Sequence, residues 1–154
     1  MIESNINSVV ALTANDDSVS FQNYTLRTGS CSECNCNSWL CHTTGSANYD
    51  IVKGGLYDID FHATVSSAAA GDVAFALYNN GEMIPGTLMV ATLAAADDYA
   101  NIGISDTIRV CCNANSNISV RSVPTVQTPS TPATPITTQV PIIVSSILTI
   151  ERQC

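Results

Sequence analysis

Gly54-Gly55-Leu56-Tyr57-Asp58-Ile59-Asp60-Phe61-His62-Ala63-Thr64-Val65 is the stretch on which the reading of this chain turns. After the Gly-Gly turn, Tyr57, Ile59, Phe61, Ala63 and Val65 fall on one side, and Asp58, Asp60, His62 and Thr64 on the other. A period of two is the signature of a strand, because successive side chains point to opposite faces of a sheet. The stretch predicts an antiparallel strand with one buried and one wet face.

The same signal repeats downstream. A loop of small residues, 66–71, leads to Val73, Phe75 and Leu77, again alternating, and Asn79-Asn80-Gly81 closes that strand in a tight hairpin where Asn and Gly accept positive φ. A further edge starts at Glu82 and continues through residues 88–93, while Ala94-Ala95-Ala96 is too short for a helix. Ile102, Ile104, Ile108 and Val110 predict a strand interrupted at Ser105-Asp106; Ile118 and Val120 predict a short one; Leu148 and Ile150 mark the last. Five of the six prolines lie within residues 124–141, which read as an extended, polyproline-like connection without a core of its own. Eight or nine short antiparallel strands, no helix and no internal repeat predict an all-β sandwich of the jelly-roll kind.

Upstream, residues 1–28 read as an N-terminal arm and first strands, with Val9, Val10 and Leu12, a turn at Asn15-Asp16-Asp17, then Val19, Phe21, Tyr24 and Leu26. Residues 29–48 form a Cys-rich loop, and residues 49–154 are the remainder of a single domain.

Only 12% of the 154 residues are charged, about half the usual share, and 45% are hydrophobic. Such a chain covers part of its surface with copies of itself. Net charge is −8, with Arg27, Lys53, Arg109, Arg121 and Arg152 scattered singly, which excludes nucleic acid and anionic membranes as partners. The polar opening Met1-Ile2-Glu3-Ser4-Asn5 predicts no signal peptide, hence synthesis in a cytoplasm; no apolar run reaches membrane-spanning length.

Gly55-Leu56-Tyr57-Asp58-Ile59-Asp60-Phe61 resembles the G-x-Y-x-[IVF]-x-F strand of the C1q/TNF-like jelly rolls. Ala76-Leu77-Tyr78-Asn79-Asn80-Gly81-Glu82 through Pro85-Gly86-Thr87 resembles their L-x-x-N-G-x-x-[IV]-x-G hairpin, in the version of BclA-type exosporium tips and of small surface proteins of Firmicutes phages and prophages. The resemblance covers roughly residues 51–120 and the last strand. It implies a homotrimer whose aromatic face, Tyr57, Ile59, Phe61, Val65, Phe75 and Leu77, packs about a threefold axis. It implies a non-enzymatic virion structural protein, a capsid decoration protein or head fibre seated on the major capsid protein and made in the host cytoplasm. The alternatives are a spore-surface or appendage subunit cross-linked by cysteines, and a carbohydrate-binding adhesin recognising a host-surface glycan. Such an adhesin would need exposed aromatics, and the sole tryptophan, Trp39 in the Cys loop, reads as a loop-packing residue more than as a sugar platform.

No catalytic or cofactor-binding residue is signposted. Neighbouring Cys41 and His42 point to opposite faces of a strand, and His62 with Asp58 and Asp60 occupies a solvated strand face without a nucleophile. Asp16-Asp17 and Asp97-Asp98 sit at turns, where Asp is favoured without any cation. The sequons Asn23-Tyr24-Thr25 and Asn117-Ile118-Ser119 are chance matches in an Asn-rich chain.

Cys31, Cys34, Cys36 and Cys41 admit two disulfides, one tetrathiolate zinc site, or unpaired thiols; Cys111 and Cys112 are adjacent, and Cys154 is terminal. Little in residues 29–48 can fold by apolar burial, so the loop is expected to be tied covalently or by metal. Intact-mass measurement with and without reductant should show the loss of one hydrogen per bonded cysteine, or else a zinc signal that a chelator removes. Four freely alkylated thiols under native conditions would exclude both ties.

Overall fold

The protein is seen in a computed structural model that describes residues 2–6, 10–14, 16–26, 39–111, 114–128 and 131–153, with the backbone alone at 2, 4–6 and 24–26. The described residues contain no helix. Their strands are β1 (Ile2–Ile6), β2 (Val10–Ala11), β3 (Asn23–Leu26), β4 (Leu40–His42), β5 (Tyr49–Ile51), β6 (Gly55–Ser66) and β7 (Gly71–Asn79). There follow β8 (Glu82–Met83), β9 (Met89–Leu93), β10 (Ala100–Val110), β11 (Ser116–Ser122), β12 (Thr125–Gln127), β13 (Pro135–Thr137) and β14 (Ile142–Arg152).

Twelve of these strands form two packed sheets, and β12 and β13 pair with each other. The first has the order β10-β6-β14-β1-β3, with β2 on β14; the second has the order β4-β5-β11-β7-β8, with β9 on β7. The chain passes from sheet to sheet at β5–β6, β6–β7, β9–β10 and β10–β11, which makes the sandwich a jelly roll. Between the sheets lie Tyr57, Ile59, Phe61 and Val65 from β6, Phe75 and Leu77 from β7, and Phe21, Tyr49, Leu148 and Ile150, all fully buried within one chain. Phe61 sits edge-on to Phe21 at 6.4 Å and tilted to Phe75 at 6.0 Å, geometry that favours ring edges against ring faces.

Three expectations change in the folded chain. Residues 2–6 are no loose arm: β1 runs inside the first sheet, hydrogen-bonded to β14 on one side and β3 on the other. No break occurs at Ser105-Asp106, because β10 pairs with β6 continuously from Ala100 to Val110. The Pro/Thr segment does acquire a core. Its strands β12 and β13 pair as a hairpin that lies on the outer face of the second sheet, where Val123 and Val126 meet Ala74, Ala76 and Tyr78. Alanines on β7 let that backbone approach closely: Val123 N–H donates to Ala74 O at 2.9 Å, and the buried Thr138 hydroxyl donates to Val123 O at 2.5 Å.

Turn chemistry is as the sequence requires at Asn80-Gly81, where φ is +52° and +83°. The Asn80 side chain also accepts the Asn117 N–H at 2.9 Å, tying the hairpin to β11. At the β4–β5 hairpin the His42 ring stacks flat on Tyr49, 3.9 Å between centroids, with Nδ1 3.0 Å from Asn48 O.

Phe61→Ala should destabilise the fold by roughly 3–5 kcal/mol, read from urea unfolding. Removing residues 1–8 should lower the unfolding midpoint sharply, since it strips a strand paired on both sides. Burial lowers the pKa of His42 below its ordinary 6.5, against the opposing pull of Asn48 O and Asp50. The folded state then binds fewer protons than the unfolded one, so this contribution is full above about pH 6.5 and falls as the pH drops below it. His42→Phe should flatten that part of the stability profile.

Candidate interaction surface

The residues expected around a threefold axis do not face outward. Tyr57, Ile59, Phe61, Val65, Phe75 and Leu77 are spent inside the single chain, between its own sheets, so a second copy must meet other side chains. One chain supplies both layers of the sandwich, so its aromatic face needs no partner to leave water.

Of the four clustered cysteines only Cys41 is described, partly buried on β4; Cys31, Cys34 and Cys36 lie outside the described residues, as do Cys112 and Cys154. Among the described residues no group of three His, Cys, Asp or Glu is arranged to hold a metal. Turn carboxylates are occupied by their own turns. Asp17 Oδ2 accepts Thr13 Oγ1 at 2.6 Å, Ala14 N at 2.7 Å and Thr13 N at 2.8 Å, bonds that lower its pKa, the Thr13 hydroxyl first. Asp98 Oδ2 accepts Ala95 N at 2.9 Å. Asn117 Nδ2 donates to Asp50 at 2.6 Å within the sheet. Trp39 is buried and packs on Tyr57 at 5.3 Å, so it offers no platform to a sugar.

Among the described residues nothing covers the outer face of β10, β6 and β14. Across β10, β6 and β14 its rows read Arg109–Leu56–Gln153, Thr107–Asp58–Glu151, Ser105–Asp60–Thr149, Gly103–His62–Ile147 and Asn101–Thr64–Ser145. Thr107 Oγ1 donates to Asp58 at 2.7 Å, and Gln153 also reaches that carboxylate. The His62 imidazole lies across Gly103, where a Cβ would stand 2.9 Å from Nδ1 and the exposed ring would have to shift. Pairing also gathers cations that are scattered in sequence. Arg109 and Arg152 lie opposite Leu56 and Tyr57, Arg152 donates to Gly54 O at 2.9 Å, and the Tyr57 hydroxyl donates to Lys53 O at 2.7 Å. Desolvation raises the pKa of that phenol.

A second exposed region follows the edge of the sandwich. Met83 on β8, then Leu88, Met89 and Val90 leading into β9, and Tyr99 before β10 all present large apolar side chains, Tyr99 at 70% exposure. Apolar groups gathered on one edge mark a contact surface more than scattered ones do. The sequence offered no cue to this edge, because Met, Leu and Val there read as ordinary strand residues. On the opposite layer, Arg121 sits over the Tyr78 ring at 5.1 Å beside the covering hairpin.

No protein-family profile and no curated protein matches this chain. Its shape does match solved structures. The globular domain of a zebrafish complement 1qA protein superposes with a TM-score of 0.55 at 8% identity, over 99% of this chain and 98% of that one. The Eiger TNF structure from S. frugiperda gives a TM-score of 0.50 at 9% identity, over 99% and 92%. At these identities the likeness concerns the fold alone: the chain is an all-β, C1q/TNF-like jelly roll.

Proposed function

We propose that this chain is a non-enzymatic structural subunit that assembles as a homotrimer on the outside of a larger particle. The observation that carries this reading is the asymmetry of its surfaces. The outer face of the second sheet is covered by the chain's own hairpin, while among the described residues nothing covers the outer face of β10, β6 and β14, and the exposed apolar residues Leu88, Met89 and Val90 lie on the neighbouring edge. An edge on one copy that meets the face of the next is a heterologous contact, which closes into a three-membered ring when successive copies are related by a rotation of about 120°. The low charge content agrees with a subunit that hides surface in this way.

The specific setting we infer is a phage virion, with the protein as a decoration protein or head fibre bound to the major capsid protein. Its support is the resemblance of the Gly55-to-Phe61 strand and the Asn80-Gly81 hairpin, together with an acidic surface suited to the outside of a particle. A spore-surface or appendage subunit is the second reading, favoured by the exposed Cys111 thiol just after β10, a position from which copies can be cross-linked.

Light scattering of the purified chain should give three times its 16.2 kDa mass. Met89→Glu combined with Val90→Lys should yield a folded monomer, since a charge buried at an apolar contact is strongly penalised. A monomeric parent protein would overturn the trimer. Peptides of this chain in purified virions would support the virion setting, and their recovery from spore coats instead would support its rival.

A further inference from the structure

β10 ends the hydrogen-bonded order of the first sheet; among the described residues no strand pairs with its other edge, although β9 of the second sheet runs close beside it. Next to the second half of β10 lies an open groove of about 330 Å³. One wall is Glu82, Met83, Ile84 and Pro85 from the turn after β7; the other is the stretch from Asp106 to Arg109.

Asp106 is out of place for a sandwich. It stands in the row of Ile104 and Ile108, whose side chains face the core, yet it is a carboxylate and only partly exposed. A charge in such a place is costly unless matched. Among the described residues the side chains of Asp106, Glu82 and Arg109 have no hydrogen bond or ion pair. Asn79 Oδ1, on the same groove, is buried without a hydrogen-bond partner. The groove thus combines apolar walls, two uncommitted carboxylates, an unmatched amide oxygen and a bare strand edge.

Each feature selects for a different part of one ligand. Unpaired backbone groups along β10 suit an extended chain that adds as another strand. Met83, Ile84, Pro85 and Ile108 suit apolar side chains at alternate positions of that strand. The carboxylates outnumber Arg109 and call for a cation on a flexible stem. We propose that this groove binds an extended peptide segment of a partner protein, which pairs with the β10 edge and sets a Lys or Arg side chain between Asp106 and Glu82.

The test uses the full chain and a fluorescein-labelled Val/Thr-rich peptide of roughly eight residues with one central Lys. Fluorescence anisotropy should show binding, weakened by about ten-fold or more when Glu replaces the Lys, and likewise in Glu82→Gln/Asp106→Asn. Amide exchange should slow at residues 105–109 when the peptide is added, with the oligomeric state of the double variant unchanged. Failure of the Lys peptide to bind, or affinity indifferent to either change, overturns the proposal. Binding of blocked lysine alone as tightly as the peptide overturns strand pairing. A double variant that dissociates into monomers shows the groove to be a contact between copies, which also overturns it.

Discussion

β6 is held on both sides along its length, by β10 on one edge and β14 on the other, while one of its faces is wholly removed from water. That combination leaves the sheet a single register. A slip of one residue would turn Asp58, Asp60 and His62 into the space between the sheets and bring Tyr57, Ile59 and Phe61 out. Several carboxylate and imidazole groups would lose water at once with no partner to replace it. Every other strand of the first sheet takes its position from this one, directly or through β14, and the aromatic layer of Phe21, Tyr49, Phe61 and Phe75 follows from its facing direction.

Because one chain provides both layers, the strongest hydrophobic signal in the sequence is consumed in making the monomer. The assembly proposed for it would draw on weaker and less conspicuous features. The hairpin of β12 and β13 removes one outer face from consideration by laying Val123 and Val126 over Ala74 and Ala76. What remains among the described residues is a polar face on the first sheet and an apolar edge along β9, two unlike surfaces. Two unlike surfaces that meet between copies form a heterologous contact, and the rotation between copies decides whether it closes into a ring.

Edge strands expose unpaired backbone and are usually blunted by charge or by cover. In this molecule β10 carries Asp106 and Arg109 at the exposed half of its edge, beside Glu82. Those charges discourage indiscriminate strand pairing between copies while leaving the edge open to a segment of opposite charge. The same residues that protect the edge can therefore make it selective.

The alternation of residues 55–65, the period in residues 73–77, the Asn80-Gly81 turn and the absence of helical periodicity were legible in the sequence, because each is a local pattern set by side-chain direction or by φ. The all-β jelly roll follows from them. Three other features were decided only in three dimensions. Residues 2–6 look like a polar arm because their place is set by backbone pairing with β14 and β3, which leaves no mark in the local side-chain pattern. Residues 124–141 look coreless because their apolar partners, Ala74 and Ala76, lie some fifty residues earlier and read as filler. Lys53, Arg109 and Arg152 look scattered, and Asp106 looks like a strand break, until antiparallel pairing brings them to one end and one groove. Local patterns report which way a side chain points; what it points at depends on contacts between residues far apart in the chain, and these exist only once the sheets have packed.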